Sequence, residues 1–231
     1  MRPHTLTVPK SMLEVGGRPF VDWQLERLAT SGIEEVIMCV GYLGDQIRGH
    51  VGDGQRFGLR VLWSEDATGA SPGGNGDRAL LGTAGAIRAA LHLLAPSFLV
   101  TYGDSYLPFD YSAPIRALAK HDDCDGVMVA YKNDGQWDAS NVLTDGVWVL
   151  RYEKGVRDPA FDHIDYGATA LKREIIAALP AGKRHGLDAL QRELSLRKRL
   201  RACIARERFF EIGSPEGLAA LDRHLGTRSS P

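Results

Sequence analysis

Strand-length apolar runs alternate with segments of helical period along most of the 231 residues. Such alternation builds βαβ units, so the expected fold class is α/β: a Rossmann-like, doubly wound mixed sheet in one domain. Residues 18–31 read as a helix, with Pro19 in the first turn, Phe20, Trp23 and Leu28 at helical spacing and Gly32 as the stop. A buried strand over 35–40, a short helix over 44–51 and a strand over 59–63 follow. Helix 83–94 carries Ile87, Leu91 and Leu94 on one face and leads into strand 98–102, helix 112–121 and strand 126–131. Asp145-Gly146 between two apolar runs then predicts a β-hairpin over 141–152, a small antiparallel excursion. A strand over 164–171, a helix over 187–196, extended runs over 201–205 and 209–212 and a helix opening at Pro215 complete the reading. The Gly-rich stretch 65–78 reads as a loop.

Composition excludes several classes of function. With 44 % hydrophobic and 25 % charged residues and a net charge of −1, the chain suits a globular protein without the basic footprint of a nucleic-acid binder. The run Arg197-Lys198-Arg199-Leu200-Arg201 reads as the solvated end of a helix. No apolar run reaches the ~18 residues of a membrane span, and the polar start is not a signal peptide, so a cytoplasmic protein is expected. Three unpaired cysteines suggest neither a disulfide framework nor a zinc site, and Cys39 and Cys203 read as core residues.

Polar fragments stand where the apolar runs end, and open α/β sheets bind ligands beyond the carboxyl ends of their strands. Asp104 follows the run 98–102 through Gly103, and Glu211 ends the run Phe209-Phe210. Two such carboxylates suit Mg²⁺, which keeps several waters and takes few protein ligands. An Asp after a strand also serves as a plain helix cap. Leu81-Gly82-Thr83-Ala84-Gly85 opens a helix, where free N–H groups and small side chains would let a base or phosphate approach. Thr83 is equally an ordinary N-cap residue. Lys10 follows the stiffening Pro9, and Lys154 follows Glu153 at the end of the hairpin. Either lysine could neutralise a phosphate.

Taken in order, these fragments resemble the sugar-1-phosphate nucleotidyltransferase family. Arg2-Pro3 through Lys10 and Met12 resembles the end of its N-terminal signature, and Leu81 to Gly85 its base-contacting loop. Gly103-Asp104 is similar to its metal site, Glu153-Lys154 to its sugar-phosphate clamp, Asp165-Tyr166-Gly167 to its sugar-contacting element, and Ile212-Gly213-Ser214-Pro215-Glu216 to its closing element. The resemblance implies transfer of a nucleotidyl group from a nucleoside triphosphate to a sugar 1-phosphate. Arg2 and Lys10 would act on the nucleotide phosphates, Leu81, Gly82, Thr83, Ala84 and Gly85 on the nucleotide, Glu153, Lys154, Asp165 and Gly167 on the sugar phosphate, and Asp104 and Glu211 on Mg²⁺. Heptose- and mannose-1-phosphate guanylyltransferases look most alike, so GTP is favoured, with UTP or CTP as alternatives.

Three departures stand out. Glu211 occupies a position where the family has Asp, the Gly-rich stretch is long, and the first strand with its Gly-rich phosphate loop is missing ahead of residue 1. Met1 is therefore expected to be an internal methionine. Two other classes compete: a glycosyltransferase using Asp123-Cys124-Asp125, and a non-catalytic nucleotide-sugar-binding subunit or truncated relic.

Overall fold

The computed structural model describes residues 7–66, 80–136 and 138–226. A 3₁₀ turn, Lys10–Met12, leads into a minimal hairpin of β1 (Glu14–Val15) and β2 (Arg18–Pro19), turned through Gly16 and Gly17 at positive φ. Helix α1 (Phe20–Thr30) therefore starts later than expected. Arg18 and Pro19 are consumed by pairing with β1, and Pro19 stands outside the first turn as N-cap. Next come β3 (Glu35–Val40), α2 (Gly44–Val51), β4 (Arg60–Glu65), α3 (Gly82–Ala89), β5 (Ser97–Thr101) and β6 (Ser105–Tyr106). The second half holds α4 (Ser112–Lys120), β7 (Gly126–Lys132), the hairpin β8 (Val142–Thr144) and β9 (Val149–Tyr152), and β10 (His163–Lys172). It continues with α5 (Arg173–Ala177), α6 (Leu187–Leu196), β11 (Leu200–Ala205), β12 (Phe210–Glu211) and α7 (Pro215–Gly226). Helix α3 stops at Ala89, short of the expected residue 94, and α5 escaped the sequence reading because it is barely one turn long.

The larger sheet has the order β11-β7-β10-β8-β9, with β5 on the other edge of the second half of β10. β7 and β11 run parallel, whereas β10 runs antiparallel to β5, β7 and β8. Because β10 is reversed, its amino-terminal residues lie level with the carboxyl ends of β5 and β7. The β10–β7 register slips between Asp165 and Thr169, with Gly167 at φ +86°, a bulge of the kind that re-aims side chains near sites.

A separate two-stranded parallel sheet is formed by β3 and β4. Expected to be buried, β3 is mostly half-buried, and Cys39 within it is exposed rather than a core residue. Val21, Leu25 and Leu28 of α1 share a core with Val61 of β4, Val129 of β7 and Ala168 of β10. On the opposite face Ala84 and Ile87 of α3 and Leu187, Leu190 and Leu194 of α6 pack with Val100, Met128, Leu171 and Leu200. Helices on both faces make the architecture doubly wound.

Candidate active site

The turn after β5 is held from below by a buried side chain. Gln24 of α1 donates from Nε2 to the carbonyls of Tyr102 and Ser105, both at 2.8 Å. A free amide donor on this helix face fixes the Gly103-Asp104 turn without using either residue's side chain. β6 then pairs with β12, placing Glu211 opposite Ser105, and Ile212 N donates to the Asp104 carbonyl at 3.0 Å. The fold thereby brings two carboxylates 107 positions apart in sequence onto neighbouring backbone segments. Lys10 reaches the same place, with Nζ 3.5 Å from Asp104 Oδ2. Glu211 lies at the surface, yet partial desolvation of its carboxyl and next the charge of Asp104 push its pKa above the usual carboxylate range.

The hairpin delivers the second group of residues. Tyr152 donates from its hydroxyl to Asp165 Oδ2 at 3.3 Å, Asn141 Oδ1 accepts from Asp165 N at 2.8 Å, and Asp165 Oδ1 accepts from Gly167 N at 3.0 Å. Burial raises the Asp165 pKa, opposed by the Gly167 amide, the Tyr152 hydroxyl and the charge of Lys154. Lys154 also acts on Glu211, so the two halves of the site share one electrostatic environment. Tyr102 stands where they meet. Its phenol is pushed far up by burial and then by Asp165, Asp188, Asp104 and Glu211, and its ring lies 3.3 Å from where a Cβ on Gly167 would stand. Glycine is needed there for both its left-handed φ and this close approach.

Beside the hairpin, a cavity of about 340 Å³ is lined by Glu153, Lys154, Val156, Asp188, Ala189 and Arg192. The Glu153 carboxylate is engaged by Arg151 at 2.9 Å and Arg192 at 3.3 Å, which hold its pKa down. Lys154 is exposed at the cavity and Arg192 is 53 % exposed, so both offer positive charge to an anion there. Asp188 and Arg192 were absent from the sequence reading. They lie on an ordinary-looking amphipathic helix, and only the docking of α6 against β9 gives them a role. Tyr102 and Tyr152 stand directly before Gly103-Asp104 and Glu153-Lys154, but nothing local shows that they point inward.

The loop Leu81–Gly85 has a different geometry from the one expected. Ala84 N and Gly85 N donate to the His185 carbonyl at 3.0 and 3.2 Å, and His185 N donates back to Leu81 O at 2.8 Å. A Cβ on Gly82 would stand 2.6 Å from His185 O, and one on Gly85 2.9 Å from Lys183 O. These glycines make room for the chain at 183–185, and two amides at the helix start are already satisfied. Thr83 is exposed and makes no capping hydrogen bond. The loop adjoins the cavity through this backbone contact, because residues 183–185 run directly into Asp188. Arg2 lies outside the described residues.

Asp123 and Asp125 are far from this arrangement. At the amino end of β7, Arg199 grips Asp125 through two bonds of 2.7 and 2.6 Å, Lys172 stands 3.7 Å away, and Arg201 pairs with Asp123. The basic run 199–201 is thus not merely solvated; it neutralises this acidic pair, and a glycosyltransferase metal site there loses its free carboxylates. Among the described residues no group of three or more His, Cys, Asp or Glu side chains is arranged to hold a metal. No helix among them is long and apolar enough to cross a membrane.

The family model described as nucleotidyl transferase matches residues 1–138, more than half of the chain. The chain belongs to the nucleotidyl transferase family. Among its relatives, an N-acetylmuramate alpha-1-phosphate uridylyltransferase of Neisseria meningitidis is 38 % identical over 52 % of this chain and 48 % of its own. A D-glycero-alpha-D-manno-heptose 1-phosphate guanylyltransferase of Campylobacter jejuni is 24 % identical over 90 % of this chain and 87 % of its own. The solved structure of a putative glucose-1-phosphate thymidylyltransferase of Bacillus anthracis superposes with a TM-score of 0.80 at 14 % identity, covering 100 % of this chain and 91 % of that one. This likeness agrees with the α/β fold expected from the alternation of elements. The chain spans about half the length of the first curated relatives it matches.

Proposed function

We propose that this nucleotidyl transferase family member moves a nucleotidyl group from a nucleoside triphosphate to a sugar 1-phosphate. The observation that carries the reading is the pairing of a metal-suited centre, Lys10 with Asp104 and Glu211, with a cationic centre, Lys154 and Arg192, across Tyr102 and Asp165. One centre suits a triphosphate and the other a monophosphate. A phosphate oxygen of the sugar 1-phosphate attacks the α-phosphorus, a P–O bond forms there, the α–β bridging P–O bond breaks and pyrophosphate leaves. Such transfer asks the protein mainly for positioning and charge neutralisation.

Lys10 neutralises the nucleotide phosphates, while Lys154 and Arg192 hold the sugar phosphate. Glu153 positions Arg192 rather than touching substrate, and Asp165 with Gly167 meets the sugar. The loop Leu81, Gly82, Thr83, Ala84 and Gly85 offers its exposed side to the base. Asp104 and Glu211 are the residues that would hold Mg²⁺: desolvation and then the charge of Asp104 disfavour the Glu211 carboxylate, and a bound cation would relieve both. Mg²⁺ there would supply charge neutralisation of the reacting phosphates. GTP is the first candidate, supported by the match along 90 % of this chain to a guanylyltransferase, with UTP second on the shorter, closer match. A cytoplasmic location, where these substrates are made, belongs to the same proposal.

Pyrophosphate release, measured with each nucleoside triphosphate, hexose or heptose 1-phosphates and Mg²⁺, tests the reading. Lys154→Ala should raise the KM for sugar 1-phosphate at least about tenfold, while Lys10→Ala should mainly lower kcat. Absence of pyrophosphate with every pairing, in a protein that still binds a finished nucleotide sugar, would make it a binding subunit instead.

A further inference from the structure

Tyr102, Tyr152 and Tyr166 gather around the bulge of β10, and their hydroxyls meet different fates. Tyr152 donates to Asp165 Oδ2. Tyr166 belongs to the core on the α1 face, edge-on to Phe109 and Phe209, where its hydroxyl is sealed from solvent. Tyr102 is half-buried between the metal-suited centre and the sugar side, and its hydroxyl bonds to no described residue. Its placement is nevertheless fixed from both sides. Gln24 holds the Tyr102 carbonyl at 2.8 Å, and the ring packs in the space that a Cβ on Gly167 would need.

The surroundings of that hydroxyl are acidic. Burial, then the charges of Asp165, Asp188, Asp104 and Glu211, hold the phenol protonated, so it acts as a donor across the neutral range. None of those carboxylates is hydrogen-bonded to it. Asp165 is engaged by Gly167 N and Tyr152, Asp104 lies beside Lys10, and Asp188 forms no hydrogen bond or ion pair with a described residue.

A half-buried donor in such a place needs an acceptor from a ligand. An anionic oxygen would be repelled by the carboxylates, and Lys154 with Arg192 offers a phosphate a better position. An ether oxygen could accept from Tyr102 but could not donate to the acids beyond it. A hydroxyl does both, and each bond in such a chain strengthens the next. We propose that Tyr102 is a specificity-determining contact: its hydroxyl donates to one hydroxyl of the sugar 1-phosphate, which donates in turn to the Asp165 carboxyl. The substrate class is thereby narrowed to sugars that keep this hydroxyl free, with no deoxy position, ether or charged substituent in its place. The inference rests on the reading of the site as a sugar-1-phosphate nucleotidyltransferase centre.

A cycle between protein and substrate tests it. The hexose or heptose 1-phosphate that the parent accepts is compared with its monodeoxy analogues, in the parent and in Tyr102→Phe. One analogue should cost the parent about tenfold in kcat/KM. Tyr102→Phe should lose about tenfold with the full sugar, mainly through KM, and nothing more with that analogue, while its effect stays additive with the others. Tm should match the parent, because the phenol oxygen bonds to no described residue. Additive losses with every analogue would overturn the proposal, as would a variant that uses the full sugar as well as the parent does. A lowered Tm with uniform loss would mark a structural role and overturn it too. Isothermal titration separates this from failure of the reaction itself. A parent that binds the sugar 1-phosphate without releasing pyrophosphate refutes the transfer, and the same cycle is then read in Kd; a parent that binds none overturns both.

Discussion

At the scale of single residues, the site is governed by how carboxylates are spaced and solvated. Asp104 is touched by Lys10 and shares its surroundings with Glu211, so replacing it with the neutral isostere removes charge without removing shape. Asp104→Asn should lower kcat by about a hundredfold or more with an unchanged unfolding midpoint, read by pyrophosphate release and urea titration. Asp165 gives a prediction of opposite character. Its folded pKa lies above the unfolded value because of burial, so ionisation works against the fold. Below the unfolded pKa of ~3.9 both states are protonated and the residue is neutral to stability; above the folded pKa the penalty is complete. Asp165→Asn should therefore unfold at higher urea than the parent at pH 7.5, with the difference shrinking towards zero as the pH falls to 4. That Asp104 and Glu211 come together could be anticipated from the sequence because each stands at or just beyond the end of an apolar run. Asp188, Arg192 and the inward rings of Tyr102 and Tyr152 were not, because their roles exist only relative to elements distant in sequence.

At the scale of elements, what was readable depended on whether the deciding contact was local. Asp145-Gly146 sets its own turn, and the hairpin forms where expected. Strand 35–40 and helices 44–51 and 187–196 keep their expected boundaries because capping glycines and periodicity act within a few residues. The glycines of 81–85 were recognised as a place of close approach, but the approaching group proved to include the chain itself, a hundred residues on. Gly82 carries φ +72° and has no room for a Cβ beside the His185 carbonyl. Gly82→Ala should cost about 2 kcal/mol or more, from backbone strain together with lost amide–carbonyl bonds. Because residues 183–185 lead into Asp188, the same change should weaken sugar 1-phosphate binding, which isothermal titration would show.

At the scale of the whole molecule, the fold class follows from element alternation, while the break between the two sheets and the reversal of β10 do not. Both depend on which strands become neighbours. The reversal puts Asp165 and Gly167 at the start of their strand yet level with the carboxyl ends around it, a placement that alternation alone does not reveal. A chain ended at residue 160 loses β10 and β11, which among the described residues are the partners of β5 and β7, and should show no cooperative thermal unfolding.

That dependence also fixes the order in which the molecule can assemble. β5 is complete at Thr101, but the strand that pairs with it ends at Lys172. At ~5–20 residues per second, a nascent chain carries this apolar strand unmatched for several seconds. β7 waits as well, since both of its partners are made later. Folding of the central sheet is therefore held back until most of the chain has left the ribosome. It then zips around one late strand, leaving the growing polypeptide most open to chaperone capture or misassociation between those two events.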